Sequence, residues 1–151
     1  MQKETLKDSL HVLRVSVELV REGNCDKRPA VKCAKDVEEL MQHLVKKDRE
    51  HFICIHLNTR NIVVGIETVA IGTLNACGIS SREVFKAAIL SSAAAVILVH
   101  NHVSGNPLAS RDDIEITKRL AEGGKILGIE VLDHIIIGDK EHFSFKDKGM
   151  I

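Results

Sequence analysis

Tryptophan and tyrosine are absent from this 151-residue chain, and phenylalanine occurs only four times. A hydrophobic core therefore has to be aliphatic, built from Val, Ile, Leu and Ala. An excess of charge of one sign is also missing, since 21 Lys and Arg face 21 Asp and Glu. That balance leaves no electrostatic footprint for nucleic acid beyond a local patch. The four cysteines, Cys25, Cys33, Cys54 and Cys77, form no C-x-x-C pair, which excludes a zinc ribbon or a dithiol redox motif. Cys54 falls in a strand pattern and reads as a small buried apolar residue. No apolar run approaches the ~20 residues of a spanning helix, and no secretory leader is evident. These absences predict no membrane association and a cytoplasmic protein with reduced thiols. Repeats, linkers and low-complexity segments are absent too. What remains, 44% apolar and 28% charged residues, fits one globular domain that buries about two thirds of its unfolded surface.

One stretch carries chemistry. Val96-Ile-Leu-Val99 is an apolar run of the kind found in buried strands, and it leads into His100-Asn-His102. Residues i and i+2 of an extended chain point to the same side, so both imidazoles can face one point beyond the strand end. Ser104-Gly-Asn-Pro107 can turn the chain back, and Ser110 and Asp113 open a helix-like segment. Asp113 then supplies a carboxylate about one turn into that helix. Two imidazoles and a carboxylate leave a fourth zinc position open, the pattern of a catalytic rather than a structural site.

The flanking pattern predicts the frame of that site. Alternation over His11–Glu22 favours a half-buried strand, with a short amphipathic helix as the alternative. Asp36 reads as N-cap of a helix over Val37–Lys47 with the stripe Val37, Leu40 and Leu44. Phe52–Leu57 and Ile62–Ile71, separated by Asn58-Thr-Arg-Asn61, read as a hairpin, with Gly65 marking a bulge or a close approach. Ser80 or Ser81 caps a helix over Arg82–Ser92, with the stripe Val84, Phe85, Ala88 and Ile89. Ser110 caps a second helix, from Arg111 to Gly123-Gly124, with the stripe Ile114, Thr117, Leu120 and Ala121. Ile129–Leu132 and Ile135–Ile137 read as a buried strand and His142–Phe145 as an edge strand. Helices and strands thus alternate about a mixed sheet, an α/β fold read as a three-layer α/β/α sandwich. Residues 1–28 form an N-terminal extension with one strand, and residues 29–151 the domain proper.

The spacing His-x-His, seven residues, Ser, two residues, Asp resembles the core motif of the JAMM (MPN-type) zinc metalloproteases. Ser81-Arg-Glu-Val-Phe85, His100-Asn-His102 with Ser104-Gly105, and Leu132-Asp-His134 resemble its bacterial RadC-like branch. The resemblance covers roughly residues 29–151. It implies a cytidine-deaminase-like fold, Zn2+ held by His100, His102 and Asp113, and hydrolysis of a peptide or isopeptide bond in a peptide or protein substrate. It also implies a helix-hairpin-helix domain in many members, which 28 residues ahead of the motif domain are too few to hold. Three positions depart from the family text: Val103 and Ala109 stand where Pro is usual, which implies a less rigid loop around the histidines, and Ser81 stands where Pro usually precedes Arg-Glu.

Water attack on an amide also needs a general base, and a carboxylate serves best. In the JAMM family this is a glutamate at the start of the first core strand, the place of Glu50 here. Glu67, inside the hairpin, is the second candidate. Glu83 sits in a first helical turn, where the helix dipole alone favours a carboxylate. The resemblance gives Ser110 a catalytic role beside the metal, as a hydrogen-bond donor to the oxyanion or the water, compatible with its being an ordinary N-cap. Asp112 could compete with Asp113, but the motif register favours Asp113. His134 reads as a buried, hydrogen-bonded histidine, with support of the metal site as its other role; His43, His51, His56 and His142 read as surface or strand residues. Two other classes compete with a hydrolase. His100-Asn101-His102 spells the letters of HNH nucleases, but their histidines are well separated. The resemblance also associates the chain with DNA repair, as a non-proteolytic factor, but the neutral charge gives that no support. A metal-binding interaction module that keeps a metal only for structure is disfavoured because relatives without catalysis generally lost metal ligands, and none is lost here. A cytidine deaminase needs His-x-Glu and Pro-Cys-x-x-Cys, and the chain has neither.

Overall fold

The computed structural model describes residues 27–72 and 78–151. The strand expected within His11–Glu22, and with it Cys25 and Cys77, lies outside the described residues. The elements run α1 (Ala34–Leu40), a 3₁₀ turn (Gln42–Lys46), β1 (His51–Leu57), β2 (Val63–Ile71), α2 (Ser81–Leu90), β3 (Ala95–Asn101), α3 (Arg111–Leu127), β4 (Glu130–Ile137) and β5 (His142–Ser144).

The strands form one sheet in the order β2-β1-β3-β4-β5. Among the described strands only β3 and β4 pair in parallel; the other pairs are antiparallel, so the sheet is mixed. Their crossover is α3, as a parallel pair requires a long connection. β1, β3 and most of β4 are buried on both faces, which is why they read as nearly continuous apolar runs rather than alternating ones. On one face Phe52, Cys54, Val96 and Leu98 pack against Val84, Phe85 and Ala88 of α2 and Ile116 and Leu120 of α3. On the other, Ile53, Ile55, Ile97, Val99 and Ile135 pack against Val37, Met41 and Leu44. The result is the expected α/β/α sandwich, its interior largely aliphatic with Phe52, Phe85 and Phe145 buried among the Val, Ile, Leu and Ala side chains. No helix among the described residues is long and apolar enough to cross a membrane.

Several boundaries differ from expectation for local reasons. Asp36 is not the N-cap of α1; Cys33 is, and Asp36 reaches back so that its Oδ2 accepts the Cys33 N–H (3.1 Å) and the Lys32 N–H (2.7 Å), as in a capping box. The expected single helix breaks at Met41 into the 3₁₀ turn, and Met41 takes a buried position beside Val37 and Leu44. In α2, Ile89 faces solvent while Val84, Phe85 and Ala88 are buried. Asn58 closes the β1–β2 turn, its Oδ1 accepting the Arg60 and Ile62 N–H groups at 2.9 and 3.0 Å. Gly65 is a close approach, as read: a Cβ there would stand 2.9 Å from His56 Nδ1.

The largest difference is at the end of α3. Gly123-Gly124 do not stop the helix; it runs to Leu127 and ends on Gly128, whose φ of 71° is left-handed. A glycine inside a helix costs only about 1 kcal/mol, and position 124 needs one because a Cβ there would lie 2.3 Å from the Ile129 carbonyl oxygen. α3 thus rests directly on the backbone leading into β4. Gly124→Ala is accordingly expected to destabilise the fold by about 1–3 kcal/mol through overpacking, despite its better helix propensity. A thermal melt that rises for this variant would contradict the packing account.

A second feature, on β4, has no local signal. β3 and β4 slip by one residue, with Val96 opposite Val131 but Ile97 opposite Asp133. Leu132 is the extra residue of this bulge, and an inserted residue reverses which face the following side chains take. His134 therefore joins the α3 side of the sheet, while Asp133 turns to the α1 side and is held by Ser144 Oγ–H at 2.6 Å.

Candidate metal centre

The centre forms where β3 ends and α3 begins. His100 is the next-to-last residue of β3, on the face shared by Val96 and Leu98, and is 1% exposed. His102 follows one residue beyond the strand, and the loop after it brings back Ser110, the N-cap of α3. Asp113 occupies the third helical position and is buried, whereas Asp112 is exposed. One ligand atom from each of His100, His102 and Asp113 lies within 4.8 Å of the others. His100 Nε2 is 3.0 Å from His102 Nε2 and 3.1 Å from Asp113 Oδ1, and His102 Nε2 is 3.3 Å from Asp113 Oδ2.

Each of the three is fixed from behind. The Ser110 N–H and O–H donate to Asp113 Oδ2 at 2.7 and 2.6 Å, and the Asp113 N–H returns a bond to Ser110 Oγ at 3.1 Å. This reciprocal cap spares Asp113 Oδ1 for the site. His102 Nδ1 lies 2.8 Å from the Asn106 carbonyl, an acceptor only, so that nitrogen carries the proton and Nε2 presents its lone pair. His100 Nδ1 is 2.8 Å from His134 Nε2, and His134 Nδ1 is 2.6 Å from Thr117 Oγ1. Phe52 stacks on His100 with ring centroids 6.0 Å apart, and Phe145 on His134 at 4.9 Å. Despite its two departures from proline, Val103 and Ala109, the loop is tied down: Gly105 N–H donates to the His102 carbonyl and Asp139 N–H to the Gly105 carbonyl.

Two imidazole lone pairs and a carboxylate oxygen thus crowd one point, an arrangement that repels itself without a cation or proton among them. The electrostatics say the same. Burial would raise the Asp113 carboxyl, but the His100 and His102 rings in their protonated forms, with the Ser110 hydroxyl, outweigh it and hold it well below the ordinary carboxylate range. His102 is pushed up, first by its bond to Asp113, against the effect of burial, with Glu50 adding to the rise. His134 is held well below the usual imidazole range by burial, then by the charge of His100. The residues fit a metal ion, and the donor set of two nitrogens and one oxygen suits zinc among the transition metals.

The candidate bases fall in different places. Glu50 lies at the entry to β1, where Phe52 is opposite His100, and its charge is felt at His102. It lines an opening with Asp48, Arg49, Gly72 and Val103. Glu67 is opposite Cys54 on β2 and answers to burial and to Lys86 and Glu83 of α2. Glu83 is paired with Lys86 at 2.8 Å on the exposed face of α2. Burial, then the charge of Glu67, pushes the Cys54 thiol up to about 12, consistent with an inert core residue.

Sequence reasoning passed over two residues here. Asn101 stands between the two histidines but is buried, its Oδ1 accepting the His51 N–H (2.8 Å) and its Nδ2 donating to the Arg49 carbonyl (3.1 Å). It grips the backbone on both sides of Glu50. Thr117 falls on the apolar stripe of α3, yet its hydroxyl meets both His134 and the Asp113 carbonyl. A buried polar residue within an apolar stripe was the only sequence signal for it.

Comparison with known proteins agrees with this geometry. The RadC-like JAB domain model matches residues 31–150. The chain belongs to the RadC-like JAB domain family. It is 50% identical over 133 residues to a UPF0758 protein of Geobacillus kaustophilus, covering 87% of this chain and 59% of that protein. It is 55% identical over 125 residues to a UPF0758 protein of Desulforamulus reducens, covering 82% and 55%. A UPF0758 protein of Bacillus cereus is 54% identical over 119 residues, covering 79% and 52%. The chain therefore spans little more than half the length of these relatives. His100, His102, Asp113, Ser110 and Glu50 all fall inside the matched JAB region.

Proposed function

We propose that this RadC-like JAB domain is a zinc-dependent metallopeptidase-like hydrolase acting on a peptide or isopeptide bond. The observation that carries the proposal is the convergence of three electron-pair donors, His100 Nε2, His102 Nε2 and an Asp113 oxygen, at one point where β3 ends and α3 begins. His100, His102 and Asp113 would hold a zinc ion, which would supply Lewis acidity to polarise a carbonyl and lower the pKa of a water to about 7. Glu50 takes a proton from the attacking water and returns it to the leaving amine, a transfer its position at the opening permits. The Ser110 hydroxyl donates to the developing oxyanion, releasing Asp113 Oδ2 as it turns; the Ser110 N–H keeps that oxygen in place. Asn101 positions Glu50 by fixing the backbone around it. The exposed side chains of Val103 and Leu108 flank the site and offer apolar contact to an extended substrate.

The activity is assigned to residues 29–151, with the preceding residues an extension, in a cytoplasmic setting and with a peptide or protein partner. Association with nucleic acid rests on family association alone, and the even charge balance lends it no support. The test is metal content per chain by mass spectrometry, on protein purified without chelator or affinity-tag metal, for wild type and His102→Ala. About one zinc in the wild type and little in the variant is the expected result, followed by zinc-dependent cleavage in a peptide screen. No metal in either, with none taken up on adding zinc, overturns the hydrolase reading in favour of an interaction module.

A further inference from the structure

The hydrogen-bond chain behind His100 has a direction. Thr117 Oγ1 donates its single proton to the Asp113 carbonyl at 2.6 Å. Toward His134 Nδ1, also at 2.6 Å, the same oxygen can then act only as acceptor. A neutral His134 consequently carries its proton on Nδ1 and presents a lone pair at Nε2. That lone pair is 2.8 Å from His100 Nδ1, which must be the donor. The last link leaves His100 Nε2 without a proton, on the side facing His102 and Asp113.

We infer that Thr117 and His134 form a relay that fixes the proton of His100 on Nδ1 and so keeps Nε2 bare for a metal ion. The inference rests on the metal reading of the site and assigns roles to two residues outside the ligand set. A metal-bound histidine is generally held by an acceptor at its other nitrogen; a carboxylate or backbone carbonyl can play only that part. A second imidazole is different, because it can either accept or donate. A histidine here therefore needs its own tautomer fixed, and Thr117 does this from α3. The packing suits a fixed ring: Phe145 stacks on His134 with an interplanar angle of 13°, and Phe52 meets its edge at 5.5 Å. His134 and Thr117 are 0% and 1% exposed, so no solvent proton competes. The bulge at Leu132 brings His134 to this face, and Thr117 lies one turn beyond Asp113, so one helix supplies both a ligand and the end of the relay.

Two readouts test the relay. Long-range 1H–15N correlation of metal-free protein at about pH 8, where an ordinary imidazole is neutral, reports which nitrogen of His100 and His134 bears the proton. Nδ1–H on both is expected. Competition with a chromophoric chelator gives the zinc Kd. Thr117→Val removes the acceptor for His134, which then turns to its Nε2–H form and drives the proton of His100 onto Nε2. Zinc affinity is expected to fall about 10–100-fold, and Thr117→Ser to restore both affinity and tautomer. His134→Phe keeps a ring between Phe52 and Phe145 and is expected to lose a similar factor. Adding Thr117→Val to it should then cost little more, because both act through one path. Nε2–H on His100 in the wild type, or a Thr117→Val protein of unchanged tautomer and zinc affinity, overturns the relay. A lower melting temperature with both readouts unchanged does so too, by reducing the pair to packing. If a variant fails to fold, the wild-type tautomers still decide the question. A wild type with no affinity for zinc overturns the metal reading instead, and the tautomer measurement separates the two failures.

Discussion

Glu50→Gln is expected to keep one zinc per chain while hydrolysis falls by about 10²–10⁴-fold, the usual contribution of a positioned general base. The substitution is nearly isosteric, and Glu50 is not one of the three residues whose ligand atoms converge. The Asn101 clamp holds the backbone at Arg49 and His51 rather than the Glu50 side chain, so it survives. What is lost is the capacity to take a proton. Glu67→Gln is the control, because that carboxylate answers to Lys86 and Glu83 on α2, and it should retain close to full activity. The reverse result, with Glu50→Gln active and Glu67→Gln inactive, would move the base to Glu67. Metal content measured on the same samples separates loss of the base from loss of zinc.

Asp113→Asn is expected to lower zinc affinity by more than the roughly 10–100-fold that follows loss of a ligand's supporting partner, because it removes the only anionic ligand. An amide oxygen can still accept from Ser110 N–H, so the helix cap, worth about 1 kcal/mol, is largely kept. The stability effect is therefore electrostatic, and its pH dependence has a definite sign. The Asp113 carboxyl is held below its unfolded value, so its contribution is present above about pH 4 and is lost as pH falls through the folded value. His102 is held above its unfolded value, so its contribution is complete below about pH 6.5 and is lost as pH rises through the folded value. In metal-free protein the pair therefore stabilises most between those limits. Breaking a largely buried pair by removing one partner costs about 3 kcal/mol, and denaturant titration with chelator near pH 5.5 should show a loss of that order. The gap should narrow as His102 deprotonates. Zinc binding runs the other way, since the ligand nitrogens must be free of protons, and wild-type affinity should climb through the same range in which the metal-free pair weakens. A variant equally destabilised at all pH values would point to packing rather than charge.

The parts of this protein that were legible in its sequence are those governed by short-range geometry. His100 and His102 share a face because a strand repeats every two residues, and Ser110 and Asp113 meet because an N-cap and the third helical position bond reciprocally. The strands β1 and β3 were visible as apolar runs, and α2 through its cap and stripe, so the layered α/β frame followed from local pattern. The rest depended on register between segments far apart in the chain. α3 passes through Gly124 because β4 approaches it closely, a contact that helix propensity cannot reveal. Asn101 secures the backbone around Glu50 only because β1 and β3 align Phe52 with His100. One extra residue at Leu132 decides that His134, not Asp133, turns toward Thr117 and His100. The sequence by itself determined which side chains could hold a metal. The tertiary structure decided which residues support them, because strand pairing and bulges are properties of two segments together and neither segment carries them alone.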